Sequence, residues 1–305
     1  MILALRLTVL WAATAAGLLG WSEFLFVNEG PASAVLGPGW AMALVDLWAF
    51  YLVPAAALMA LWHLRWPATW WRAVLGGALV GWVIEGAVVA AVYEAPPFSF
   101  LWTSVAWHGP VDIALGLWLF PLLLNRDVRG WIASAAFAVS GAMIGIWALW
   151  TVGDEAEALN MTPQAFGWLV GIGTACAAFG AWGWASLGHE VTRLPRPLAW
   201  AALALCAVLL AGQGLTAPIA FAGLSLLVAF TFWLYLRQRN REPEKADIAS
   251  IRLVWFTLFA GAAALSYTVS LSVFPNIDVE FITFIGFSTG LLIAISAALR
   301  GFISR

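Results

Sequence analysis

The sequence predicts an all-α polytopic membrane bundle of about ten spans with both termini cytoplasmic, and three observations carry that expectation. Hydrophobic residues make up 63% of the chain and charged residues 10%, with a mean hydropathy of +0.92, so hydrocarbon is the solvent that suits it. Apolar runs of about twenty residues, each long enough to cross a bilayer, recur about ten times. All fourteen Lys and Arg fall in one set of alternate connections between those runs.

In chain order the runs lie near residues 3–24, 40–63, 73–93, 99–124, 131–152, 164–187, 198–213, 218–236, 252–272 and 279–299. Arg6 opens the first. Arg65 and Arg72 stand between the second and third, Arg126 and Arg129 between the fourth and fifth, and Arg193 and Arg196 between the sixth and seventh. Arg237, Arg239, Arg241, Lys245 and Arg252 surround the eighth connection, and Arg300 and Arg305 close the chain. The other connections hold Glu29, Glu94, Asp154, Glu155, Glu157 and Asp278 instead. Basic loops stay on the cytoplasmic side, so this segregation predicts a multi-pass protein of the cell inner membrane with both ends inside. A secretory leader is not expected, because the first run is too long and no small-residue cleavage site follows it.

The net charge of −2 hides a basic inner and an acidic outer surface. The arginines read as topology determinants and lipid-phosphate contacts, so membrane lipid is an expected partner and nucleic acid is not. Cys176 and Cys206 lie within apolar runs and read as small hydrophobes. Of the 21 Trp, those near run ends (Trp40, Trp62, Trp66, Trp70, Trp71, Trp102, Trp131, Trp150, Trp184 and Trp200) read as an interfacial belt. Trp48, Trp82, Trp107 and Trp118 lie deeper and are candidates for a pocket wall. Glycines four apart predict close helix approach at Gly77/Gly81, Gly141/Gly145, Gly167/Gly171 and Gly286/Gly290.

The chain is one membrane domain whose polar content is uneven. Residues 1–125 carry the intramembrane ionisable groups Asp46, Glu85, His108 and Asp112, with Glu23 and Glu94 at the outer mouth. Residues 126–305 form a six-span apolar part whose main polar run, around Tyr267, reads as hydroxyls bonded to their own backbone. At a rise of about 1.5 Å per residue, Asp46 lies roughly 9 Å and Glu85 roughly 12 Å below the outer surface, with His108 and Asp112 in the same layer. A buried carboxylate is expensive in a bilayer, so each needs a partner or water, and convergence on one cavity is expected. Glu23 reads as solvated at the interface. Between His108 and Asp112 stand Gly109 and Pro110, the best place in the chain for a broken helix lining a cavity.

One imidazole is too little for a divalent metal site, and no cofactor is indicated. With no Lys or Arg in the layer, a cationic or neutral ligand is favoured over an anionic one. Binding or proton transfer by Asp46, Glu85, His108 and Asp112, with Glu23, Glu94, Trp82, Trp107 and Tyr267 at the mouth or wall, points to membrane transport or binding of a cation, a proton-coupled solute or a cationic or neutral amphiphile. The alternatives are an intramembrane enzyme using the same groups on a lipid or isoprenoid, and a membrane assembly subunit.

Two local resemblances accompany this reading. His108-Gly-Pro-Val-Asp112-Ile-Ala-Leu-Gly116 resembles the His-x-Pro-x-Asp segment of the membrane phosphatidic-acid phosphatases, which implies a phosphate-attacking His. That family's basic motif, its Pro-Ser-Gly-His motif and the Arg beside the nucleophile are missing here, where Ser104 is followed by Val105. Ile84-Glu85-Gly86 followed by Tyr93-Glu94 resembles sterol-isomerase membrane proteins, and the residues after it diverge. Span number and length also suit the drug/metabolite transporter class, without matching motifs.

Overall fold

The computed structural model describes residues 2–152, 159, 161–237, 250–273 and 279–303. The predicted Asp154, Glu155, Glu157 and Asp278, with Arg239, Arg241, Lys245 and Arg305, lie outside these. Among the described residues, ten helices are long and apolar enough to cross a membrane: Ile2–Phe24, Trp40–Leu64, Trp70–Val88, Phe98–Leu123, Gly130–Val152, Pro163–Arg193, Arg196–Gly214, Pro218–Arg237, Arg252–Val273 and Glu280–Ile303. They are called spans one to ten. The protein is an all-helical polytopic bundle, with no strand among the described residues.

The helix starts obey local chemistry. Gly39, at φ +88°, turns the chain into span two, a conformation with no penalty for glycine. The Thr69 and Thr162 hydroxyls accept from the free amides of Arg72 and Ala165, and Pro163 fills a first-turn position that needs no donor.

Arginines gather the basic connections at one end of the bundle. Arg6 and Arg193 both donate to Glu190, at 2.6 and 3.0 Å, tying the start of span one to the end of span six. The Arg252 guanidinium donates to the carbonyls of Asn125 and Val128, satisfying the chain just beyond span four. Arg65 donates to Leu236 O at 3.3 Å, and Arg300 lies 4.6 Å over the Trp71 ring. Trp62 and Trp184, expected in the interfacial belt, are instead buried beneath this end, with ring centroids 4.2 Å apart. Trp40, Trp131 and Trp200 are exposed, as belt residues are.

Small residues set the packing. A Cβ on Gly77 would meet the Gly109 backbone, and one on Gly81 the Ser104 carbonyl, so spans three and four touch backbone to backbone. Gly141 and Gly145 do the same against the Phe259 and Ala263 carbonyls of span nine, and Gly290 against the Ala106 carbonyl of span four. Gly17 on span one meets Gly180 on span six. Gly167 and Gly171 depart from expectation, since no atom lies within 4 Å of their Cβ positions.

The neighbour pattern relates two five-span halves. Span one packs on six, two on seven and three on eight. Exchanging each span for the one five places away turns the four–ten contact into nine–five and the one–four contact into six–nine, and all four occur. Such exchange is what inverted repeats produce. The tight three–four and three–ten contacts have no comparable counterpart, so the first half carries an asymmetry of its own.

Candidate functional site

That asymmetry coincides with the polar residues. Ordinary α-helix gives way to π-helix in three segments among the described residues: Gly20–Phe24 in span one, Ile84–Val88 in span three and Trp102–Leu119 in span four. Their wider turns close with hydrogen bonds five residues apart, as in Leu25 N to Gly20 O at 2.9 Å and Val89 N to Ile84 O at 3.0 Å. A π-turn inserts a residue and rotates the helix beyond it, and such turns concentrate at functional sites. Each of the three carries a group of one polar cluster: Ser22 and Glu23, then Glu85, then His108 and Asp112.

His108 is the hub. Its Nδ1 lies 2.6 Å from Asp112 Oδ2, one turn along span four, and its Nε2 lies 2.9 Å from Glu85 Oε1 on span three. Ser22 donates to Asp112 Oδ2 at 2.5 Å. Tyr51, at the bend between the two helical halves of span two, donates to Glu23. Asp112 is fully buried, His108 and Glu23 nearly so, and Glu85 keeps 14% of its side chain exposed. The row therefore runs from a closed interior to one edge that meets solvent or lipid.

Among the expected site residues, Glu85, His108 and Asp112 converge. Asp46 does not: it is exposed on the outer face of Trp40–Phe50, a segment with no buried residue. Depth alone pointed to it, and depth says nothing about which way a side chain faces. Glu23, expected at the wet interface, is inside, because the π-turn at Gly20–Phe24 carries it beneath Tyr51. Glu94 is exposed beyond the end of span three. Trp107 is buried beside His108, donates to Trp21 O at 3.3 Å and packs on Phe26 and Trp147. Trp82 donates to Phe100 O and borders a separate crevice. Tyr267 donates to Met161 O at 2.7 Å and takes no part in the site. The expected break at Gly109-Pro110 is a continuous π-helix instead, since the wider winding admits the proline ring without unwinding the chain.

Ser22 and Tyr51 were missed by sequence reasoning. Isolated hydroxyls in apolar runs are usually bonded to their own helix, so neither carries a signal until span one's π-turn brings Ser22 to Asp112.

The geometry separates chemistries. A hydrolytic triad needs its serine to give a proton to the imidazole, whereas Ser22 donates to Asp112 at 2.5 Å, and Asp112 at 2.6 Å, not Ser22 at 3.4 Å, holds Nδ1 of His108. A phosphate-attacking histidine needs a free nitrogen and a cation for the phosphoryl oxygens. Here both nitrogens face carboxylates, and the described arginine contacts lie at the far end of the bundle. Among the described residues, no three His, Cys, Asp or Glu side chains gather as metal ligands. What the row can do is hold a proton and move it: either both nitrogens donate, or one carboxyl keeps the proton and gives it to the ring.

Comparison with family models, curated proteins and solved structures returned no match to this chain.

Proposed function

We propose that the protein is a multi-pass inner-membrane transporter or binding protein that exchanges a cation for a proton at the Glu85–His108–Asp112 row. The observation that carries this reading is the single imidazole held at both nitrogens by carboxylates inside a membrane bundle. Three carboxylates (Glu23, Glu85 and Asp112) and one histidine make a site with a surplus of negative charge, which a cation or protons must balance. Arrival of a cation then releases a proton, and the ring passes it from the closed Asp112 end to the partly exposed Glu85 end. The exchange relation between the five-span halves supports transport, because many transporters are built from such inverted halves. The segregated arginines support an inner-membrane protein with both ends cytoplasmic.

Reconstitution tests this. Vesicles loaded with a pH indicator are challenged with Na⁺, K⁺, a primary amine and a quaternary ammonium ion. Proton movement driven by one of them in wild type, and abolished in Asp112→Asn, supports the reading. Silence toward every cation removes it.

One observation favours the second reading, an intramembrane enzyme acting on a lipid or isoprenoid. A crevice of about 450 Å³ lies between spans two, three, seven and eight, walled by apolar side chains such as Leu79, Trp82, Cys206 and Leu210. It suits a hydrocarbon chain, yet none of the site's carboxylates lies in its wall. Turnover of a labelled polyprenyl lipid by the purified protein, lost in Glu85→Gln, would favour it.

A further inference from the structure

Spans seven and eight are joined only by Leu215, Thr216 and Ala217, yet they pack chiefly on spans two and three rather than on each other. The gap they leave is the apolar crevice of about 450 Å³, with Leu61, Val83, Trp200, Leu210, Phe221 and Phe232 in its wall. From Trp200 to Leu210 along span seven it climbs roughly 15 Å, the hydrocarbon thickness of one leaflet. Spread over that height, the volume gives a cross-section of roughly 30 Å², which a hydrocarbon chain fills and a helix about 10 Å across cannot enter. The polar atoms of the wall are engaged: the Ser225 hydroxyl donates to Phe221 O at 2.7 Å and the Trp82 indole to Phe100 O at 2.8 Å.

The foot of the crevice, at the arginine-bearing end of the bundle, is positively charged. Arg196 lies one helical turn before Trp200 on span seven, and Arg65 one turn after Leu61 at the end of span two, so both stand beneath the wall. Arg65 Nε donates to the carbonyl of Leu236, one turn after Phe232 on span eight, which fixes this guanidinium across the crevice floor. Its two terminal nitrogens make no hydrogen bond among the described residues, and neither does the exposed Arg196. Glu190, the buried acid at this end, is already held by Arg6 and Arg193. Trp200 is exposed as an interfacial residue is, which sets the two guanidiniums at the depth of lipid phosphates.

From the height, the section and this unbalanced charge we infer that the crevice holds one acyl chain of an anionic phospholipid, its phosphate seated between Arg65 and Arg196. A phosphate accepts from two guanidiniums, whereas the quaternary ammonium of phosphatidylcholine meets two like charges. The lipid is retained rather than turned over, because no carboxylate or imidazole lies in the wall. Its presence reaches the proton-exchanging row. Val83 is in the wall, and Leu210 lies 3.0 Å from where a Cβ on Gly86 would stand, so a filled crevice backs the π-turn that carries Glu85.

Native mass spectrometry of the full chain in detergent, titrated with phosphatidylglycerol or phosphatidylcholine of matched chains, tests this. Wild type should bind phosphatidylglycerol roughly ten-fold more tightly, and Arg65→Gln with Arg196→Gln should abolish the preference. Arg196→Gln alone, at an exposed side chain without contacts, should reduce it and serves where Arg65→Gln disturbs the fold. Ala207→Phe, which fills the crevice from its wall, should weaken phosphatidylglycerol binding with both arginines in place. Equal affinity for the two lipids, a preference undiminished in Arg196→Gln, or unchanged binding in Ala207→Phe overturns the inference. So does competition by glycerophosphoglycerol, which has the headgroup and no chains, or recovery of the bound lipid chemically altered, which would make the crevice a substrate site. Binding is read with no transported cation present, so this site and the transport site fail or stand separately.

Discussion

Glu85 and Asp112 stand on opposite edges of one imidazole, 2.9 Å from Nε2 and 2.6 Å from Nδ1 of His108, although they belong to different spans. Among the described residues neither carboxylate has another ion-pair partner, so the ring is what makes both tolerable in the interior. Replacing it by His108→Gln leaves two buried acids in one layer. Loss of about 3–5 kcal/mol is expected, the magnitude for breaking one side of a buried ion pair. Adding Glu85→Gln should recover part of that loss, which thermal unfolding of the single and double variants in one detergent measures.

The close approach of spans three and four holds the row at these distances. In Gly81→Ala the new methyl meets the Ser104 backbone and the His108 Cβ, neither of which can yield without moving span four. Stability should fall by about 1–3 kcal/mol, and cation-driven proton movement should fall further than the folded fraction does. Gly167→Ala is the control. With nothing within 4 Å it should leave stability unchanged or raise it by up to about 1 kcal/mol.

Two described non-glycine residues have left-handed backbone, Val27 at φ +66° and Ala90 at φ +67°, and each lies just after a π-turn of the site. Strain of this kind concentrates where a structure holds functional groups in place. Ala90→Gly should raise stability by about 1 kcal/mol by relieving it, as denaturation of the purified protein would report. The reverse sign would mean that the lost methyl, or the freedom glycine adds to the unfolded chain, outweighs the strain.

Pro110 has no amide proton to offer within the long π-helix of span four. Pro110→Ala restores a donor and lets the turn tighten toward α, which would draw His108 away from Glu85. Melting temperature should hold or rise while proton movement falls, both read on the same preparation. A drop in stability with unchanged activity per folded molecule would make the proline a packing residue only.

The ten spans and the gathered arginines are legible in the sequence because length, hydropathy and loop charge are dictated by the bilayer itself. The Gly77/Gly81 and Gly141/Gly145 contacts are legible for the same reason, since close packing in lipid calls for small side chains. Azimuth is not. Spans that are apolar all round carry no moment to separate a core face from a lipid face, so Asp46 and Glu85 look alike by depth although one faces outward and the other His108. Gly167/Gly171 has the same spacing as the packed pairs and the same ambiguity. The π-turns leave no local pattern either, because tertiary contacts decide where an extra residue is wound in, and they are what bring Ser22 and Glu23 inside.

Proton exchange at His108 is tested most directly by the protons released when the purified protein binds a cation identified in the flux assay, titrated in weakly buffered detergent solution. Wild type should release protons on binding, and Glu85→Gln and Asp112→Asn should bind more weakly and release fewer protons per cation bound. Cation binding with no proton release in wild type, or release that persists undiminished in both variants, would contradict a proton-exchanging row.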